Sequence, residues 1–304
     1  MTYDDFAGRP RTGWDMHCHT VFSDGTETPE ELIRQAKAMQ LLGVAITDHD
    51  TTSGWVPARR AAQSLGLPLL RGTEITAEFD RTSVHMLAYQ YDPNSPHIAR
   101  MFARTRDGRV RRAKIMVERL SEDFPITWDD VLDQVKEGSR TTIGRPHIAD
   151  ALVAAGIYAT RSEAFQGAVS GGSEYYVPTP SPTALEVVEA IREAGGVSVV
   201  AHPADTGRNR VLLSDEQIRA LVDEGLDGLE VWHRGNAPEQ RLRLLALAQR
   251  YGLLTTGGSD WHGKGKPNLL GENVTDPETV ARIIERGAIS PILPPAPEEA
   301  LSAK

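Results

Sequence analysis

The sequence predicts an α/β protein on a parallel sheet buried on both faces, broken once by a helical insertion. Two observations carry that reading. Short apolar runs alternate with longer amphipathic ones in the first and last parts of the chain, the pattern of repeated strand–helix units. Between them the chain turns helical and charged, with no strand pattern. In order, residues 14–19 read as a strand. A helix over 29–42 follows, with Thr28 as N-cap and Pro29 in its first turn. Residues 43–47 form a second strand, followed by a helix through 58–65, and residues 68–75 and 83–89 are two more strands. After Asp92-Pro93-Asn94-Ser95-Pro96 comes a helical stretch carrying Arg104, Arg106, Arg109, Arg111 and Arg112, still helix-like at 149–155 and 162–168. A second proline-rich hinge, Val177-Pro178-Thr179-Pro180-Ser181-Pro182, returns the chain to strands at 196–201, 226–231 and 253–257, the helices before them ending near Gly195, Gly225 and Gly252. The expected division is therefore 1–96 and 181–304 for the two parts of one sheet domain, with 97–180 inserted.

Composition narrows the function. The 304 residues carry 33 Lys+Arg against 42 Asp+Glu, a net charge of −9, with 40% hydrophobic residues. These values exclude disorder and coiled coil, and they argue against a protein that coats long nucleic acid, which needs a basic surface. A small phosphorylated substrate held by a local positive site is still allowed. Cys18 is the one cysteine, so no intrachain disulfide forms and a reducing compartment is expected. The first six residues lack the basic start and apolar run of a signal peptide, and no apolar stretch suits a bilayer. The expectation is a cytoplasmic protein without a membrane partner.

Six of the nine histidines fall at or just beyond the C-terminal ends of expected strands. His17 and His19 are two apart on one strand, so they leave the same face while Cys18 leaves the other. Asp24 follows in Ser23-Asp24-Gly25, His49 lies in Thr47-Asp48-His49-Asp50, Glu74 ends the third strand and His85 lies in the fourth. His202 closes Ala201-His202-Pro203, and Asp260 and His262 close the last strand in Ser259-Asp260-Trp261-His262. In a (β/α) barrel all strand C-termini meet on one rim. A lone histidine of this kind is an ordinary hydrogen-bonded residue. Nine imidazole and carboxylate side chains gathered on one rim are a ligand set for two or three Mn, Fe or Zn ions.

These motifs, in this order, resemble those of the PHP (polymerase and histidinol phosphatase) family. The resemblance implies a distorted seven-stranded (β/α), TIM-like barrel with a trinuclear metal centre. It places His17, His19, Glu74 and Asp260 on one ion, Glu74 bridging to a second held by His85 and His202, and Asp24, His49 and His262 on the third. Asp15, Asp48 and Asp50 would orient ligand imidazoles. A water shared between two ions would be acidified and attack phosphorus in line. The string Gly144-Arg145-Pro146-His147-Ile148-Ala149 resembles the subgroup acting on nucleoside 3′,5′-bisphosphates, where the arginine meets substrate phosphate; His147 accompanies it. His233, in Glu230-Val231-Trp232-His233, resembles a histidine serving the phosphate or the leaving group. Where that subgroup carries a Lys-Pro pair this chain has Ser173-Glu174, so Arg208 or Arg210 is the expected substitute contact, whereas Lys264 and Lys266 after the last strand read as residues of a solvated loop. The expected activity is a metal-dependent phosphoesterase on a small nucleotide. The alternatives are a histidinol-phosphate phosphatase, a 5′→3′ exonuclease on short oligonucleotides and a non-catalytic metal-binding scaffold.

Overall fold

A computed structural model describes residues 9–80, 82–209 and 211–294. Arg210 and the first six residues considered above lie outside them. Seven strands form one sheet in sequential order: β1 (Trp14–Cys18), β2 (Gly43–Ile46), β3 (Leu69–Phe79), β4 (Thr82–Tyr89), β5 (Val197–Val200), β6 (Gly228–Trp232) and β7 (Leu254–Gly257). The sheet nearly closes on itself, because a parallel bridge joins Cys18 to Trp261 just beyond β7. The His19 amide donates to the Trp261 carbonyl at 2.8 Å and the Trp261 amide to that of His17 at 3.2 Å. The fold is thus the distorted, TIM-like barrel with inserted helices.

The sheet is mixed rather than all parallel. β4 runs antiparallel to both β3 and β5, while the other neighbours are parallel. Too few residues separate Phe79 from Thr82 for a crossover helix, so the chain must turn back as a hairpin. Asp80 takes the left-handed conformation (φ 46°) at that turn. β3 is also longer than expected: Glu74 lies at its middle, because the strand continues to pair with β4 as far as Phe79.

Alternation along the strands splits the core into two layers. Val44, Ile46, Met86, Ala88 and Val200 pack outward against helices α1 (Pro29–Ala38), α2 (Trp55–Leu65), α7 (Ala184–Glu193), α8 (Asp215–Glu224) and α9 (Pro238–Tyr251). Ala45, Leu70, Leu87, Tyr89, Val197, Val199 and Leu254 fill the inner layer with Val280 and Ile283 of α10 (Pro277–Arg286). Both faces are buried, as the apolar strands required.

Between β4 and α7 lie α3 (Pro96–Leu120), α4 (Trp128–Leu132), α5 (Arg145–Ala154) and α6 (Arg161–Gln166). The first half of α3 packs Ile98, Met101 and Phe102 on the barrel's outer core. Its second half joins α4, α5 and α6 around Met116, Leu120, Val131, Ile148, Leu152 and Ala164, a separate apolar cluster. This layer docks on the loop after β1: the Thr142 amide donates to the Phe22 carbonyl at 2.9 Å, and Arg161 Nη1 to the Asp24 carbonyl at 2.8 Å. Among the described residues no helix is long and apolar enough to cross a membrane.

Candidate metal centre

β1, β3, β6 and the segments that follow β1, β2, β5 and β7 deliver their side chains to one end of the barrel. β4 runs the other way, so His85 reaches that end from near the strand's start, opposite Thr76. Three groups have ligand atoms within 4.8 Å of one another: His17, His19, Glu74 and Asp260; His19, Asp24, His49 and His262; and His49, Glu74 and His85. His202 adjoins the last, its Nε2 lying 2.9 Å from Glu74 Oε1, which also faces His85 Nδ1 at 2.7 Å. Glu74 Oε2 faces the opposite way, 3.2 Å from His17 Nε2 and 3.0 Å from His19 Nε2. One carboxylate thus presents an oxygen to each of two neighbouring groups.

Five of the donor atoms are buried without a hydrogen-bond partner. Asp24 Oδ1, His49 Nδ1, Glu74 Oε2, Asp260 Oδ1 and His262 Nε2 are all in this condition. Buried polar atoms are normally satisfied, so a ring of orphaned lone pairs aimed at one another fits a centre for divalent cations. His202 and Asp260 hold positive φ angles (31° and 54°), strained for residues with a Cβ and typical of functional positions.

Proton affinities tell the same story. Burial opposes charge on Asp24, Glu74 and Asp260, yet the surrounding imidazoles, with Lys266 and Arg208 beside Asp260, hold all three carboxyls well below their usual range. Burial holds His49 and His202 well below the usual imidazole value and His262 down at about 4. For His17 and His19 burial loses to the carboxylates: His17 is held well above its usual value and His19 is raised to about 9. The site demands positive charge, and without a metal two imidazoles supply it as protons.

Glu230, which the sequence reading passed over, is the carboxylate that orients the centre. Its Oε1 lies 2.9 Å from His17 Nδ1, and its Oε2 accepts the His202 amide at 2.7 Å. A buried acid inside the apolar strand β6 was the available signal. Asp15, Asp48 and Asp50, expected to orient imidazoles, bond elsewhere. Asp15 accepts the amides of Ser259 and Gly271. Asp48 takes the Thr20 amide and the Thr20 and Ser23 hydroxyls, reaching His19 only through Ser23 (Oγ to Nδ1, 3.3 Å). Asp50 binds Thr76 and Arg109. Asp48 and Asp50 flank His49 and Asp15 lies two residues before His17, so through these bonds they brace the segments that carry the ligand groups.

Around the rim lie the expected substrate residues. His233 Nδ1 accepts the Gly235 amide at 3.1 Å, and its Nε2, buried without a partner, lies 3.9 Å from Asp260 Oδ2. Arg208 and Lys266 both pair with Asp260, Lys266 at 2.9 Å. Arg145 donates to the Val169 carbonyl at 3.2 Å and lies over the rings of Phe165 (5.2 Å) and Tyr176 (5.6 Å). Arg112, not anticipated as a site residue, lies over the ring of Tyr176 at 5.0 Å and donates to the Val177 carbonyl. Neither guanidinium pairs with a carboxylate among the described residues. Burial, then the neighbouring Arg145, pushes Arg112 down to about 10, and burial lowers Arg145 too. His147 spends Nδ1 on the Gly144 amide at 3.2 Å, closing the start of α5. Lys264 is exposed on the loop after His262.

Comparisons with known proteins agree with this geometry. Residues 15–148 match the PHP domain family. The chain is 33% identical over 257 residues to the 5′-3′ exoribonuclease Rnm of Salmonella typhimurium, covering 82% of this chain and 85% of that one. It is 30% identical over 292 residues to the 3′,5′-nucleoside bisphosphate phosphatase of Chromobacterium violaceum, covering 93% and 98%. Its fold matches a crystal structure from Bifidobacterium adolescentis, provisionally described as a metal-dependent phosphoesterase, with TM-score 0.91, 68% identity and coverage of 92% and 98%.

Proposed function

Because this chain belongs to the PHP family of metal-dependent phosphoesterases, we propose that it releases phosphate from a small nucleotide such as a nucleoside 3′,5′-bisphosphate. The observation that carries the substrate class is the pair of carboxylate-free guanidinium groups, Arg112 and Arg145, the latter within electrostatic reach of Arg208, which pairs with Asp260. Half-buried cations without counter-ions favour an anion. A bisphosphate has one phosphoryl group for the rim and another for this pair. Histidinol phosphate has none to spare.

In this reading His17, His19, Glu74 and Asp260 would hold one ion, Glu74 would share a second with His85 and His202, and Asp24, His49 and His262 would hold a third. The donor set suits two or three Mn, Fe or Zn ions. The chemistry they supply is charge on the phosphoryl oxygens and an acidified water. The protein's residues do the rest. Glu230 fixes the tautomer and direction of His17. The Gly235 amide occupies His233 Nδ1, so a neutral His233 carries its proton on Nε2 and donates it as a hydrogen bond to the phosphoryl group. Burial keeps His233 below its usual value, which suits a hydrogen-bond donor better than a general acid. Arg145 and Arg112 hold the distal phosphate, and the helices inserted over 97–180 cover the rim.

The test is a phosphate-release screen with manganese-loaded protein over mononucleotides, nucleoside 3′,5′-bisphosphates and histidinol phosphate. The bisphosphates are expected to give the highest kcat/KM. A preference for histidinol phosphate would overturn the nucleotide reading.

A further inference from the structure

The Asp24, His49 and His262 group differs from its neighbours in what holds it. His17, Glu74 and His85 stand on β1, β3 and β4, where the sheet ladder fixes their backbone. Asp24 lies in a turn beyond β1 and His262 in the segment beyond β7, outside that ladder. Thr26 sews these two loops together. Its amide donates to the His262 carbonyl at 3.1 Å, its hydroxyl donates to the same carbonyl at 3.2 Å, and its Oγ1 accepts the Lys264 amide at 2.8 Å. Asp24 Oδ1, which lacks a hydrogen-bond partner, then faces His262 Nε2 across 3.1 Å.

One side chain of the inserted helices grips both loops. Arg161, at the start of α6, donates from Nη1 to the Asp24 carbonyl at 2.8 Å. Its guanidinium also lies against Gly265 in the loop after His262, so closely that a Cβ there would come within 2.3 Å of Nη1. The rest of its fork is committed to Asp150 of α5, Nε donating to Oδ1 at 2.7 Å and Nη2 contacting Oδ2. A two-point pair of this kind fixes the plane of the guanidinium, which a single hydrogen bond does not. The Arg161 side chain is only 12% exposed, so the pair is shielded from solvent. By contrast, among the described residues no hydrogen bond from α3–α6 reaches His17, Glu74, His85, His202 or Asp260.

We propose that Arg161, oriented by Asp150, is a positioning residue for the ion of Asp24, His49 and His262, so that the inserted helices set the occupancy of that ion while the barrel sets the others. Partners that hold a ligand from outside the coordination sphere govern affinity as well as direction. Here the partner belongs to the layer that also carries Arg145, so covering the rim and completing the centre are one event. This rests on the metal-centre reading above.

The experiment measures manganese per chain by elemental analysis after equilibrium dialysis over a range of free manganese, in wild type, Arg161→Met, Asp150→Asn and Asp24→Asn. Arg161→Met is expected to weaken one ion by about 10–100-fold and to leave the remaining affinity unchanged. That ion is the one Asp24→Asn removes, so the double variant should lose no further metal. Asp150→Asn, which loosens the fork, should weaken the same ion by a smaller factor, and Arg161→Lys should recover part of the loss. Hydrolysis of p-nitrophenyl phosphate by Arg161→Met should need correspondingly more manganese for its half-maximal rate, with KM unchanged at saturating manganese. A merely structural role would instead lower the affinity of every ion together. Unchanged metal binding in Arg161→Met, equal weakening of all ions, or additive loss in the double variant overturns the proposal. If Arg161→Met does not fold, Asp150→Asn and Arg161→Lys carry the same tests. A wild type that takes up no manganese strikes the metal centre itself and this inference with it, whereas a failure to hydrolyse nucleotides strikes the substrate reading alone.

Discussion

A single oxygen of Glu230 sets which nitrogen of His17 faces Glu74 and Asp260, because it occupies the other. Carboxylates of this kind raise the basicity of a ligand imidazole and fix its direction, and losing one typically costs about 10–100-fold in metal affinity. Glu230→Gln should therefore weaken metal binding by about that factor, read by competition with a chelator, while the far-ultraviolet dichroism is retained. Metal uptake should also release protons. His17 is held well above the ordinary imidazole value and His19 at about 9, so both are protonated at pH 7 when no cation is present. A cation must expel those protons, so affinity rises with pH and levels off only above about 9. Below that point the gain is about tenfold per pH unit for each proton released. Calorimetric titration in buffers of different ionisation enthalpy measures the number directly, and buffer-independent heats would contradict it. The ligands were legible in the sequence because histidine at a strand end has few other uses. Glu230 was not, since a single acid in an apolar strand reads as noise until its partner from β1 is placed beside it.

The position of all seven strands could be read from apolar runs and flanking glycines, but the direction of β4 could not be read from its composition. Val84, Met86 and Ala88 face one core and Leu87 and Tyr89 the other, the signature of a strand buried on both faces whichever way it runs. The two-residue link after Phe79 held the answer, because no parallel crossover is that short. The reversal matters to the site: it brings His85 to the same end of the barrel as the C-termini of its neighbours. Closure of the sheet matters equally, since β1 and the segment after β7 carry the candidate ligands that must meet. Gly258 sits in that seam, where an added Cβ would come within 2.3 Å of His17 Cβ and 2.8 Å of Glu230 Oε1. Neither neighbour has room to retreat. Gly258→Ala should accordingly displace His17, lowering the metal bound per chain and the melting temperature together. Elemental analysis and a thermal melt check this, and full metal content would show that the seam yields.

Across the whole molecule, an acidic chain of net charge −9 still leaves two half-buried guanidinium groups side by side with no carboxylate partner among the described residues. Arg109 answers to Asp50 and Arg208 to Asp260, whereas Arg112 and Arg145 have only backbone carbonyls and aromatic faces. The arginine-rich stretch was visible in the sequence, but this pairing was not. It depends on Phe165 from α6 and Tyr176 from the returning segment, which no local pattern connects to α3. Two guanidinium groups held against one ring repel each other, and an incoming phosphate dianion relieves the repulsion while accepting from both. Arg112→Ala and Arg145→Ala should each cost about 1.5–3 kcal/mol in kcat/KM for a nucleoside 3′,5′-bisphosphate, with metal content unchanged. p-Nitrophenyl phosphate, which has no second phosphate, should be hydrolysed at the wild-type rate by both. Because the anion bridges the pair, the double variant should lose less than the sum of the single losses. Full additivity would mean that the two arginines meet the substrate separately, and equal losses on p-nitrophenyl phosphate would place them on the reacting phosphate instead.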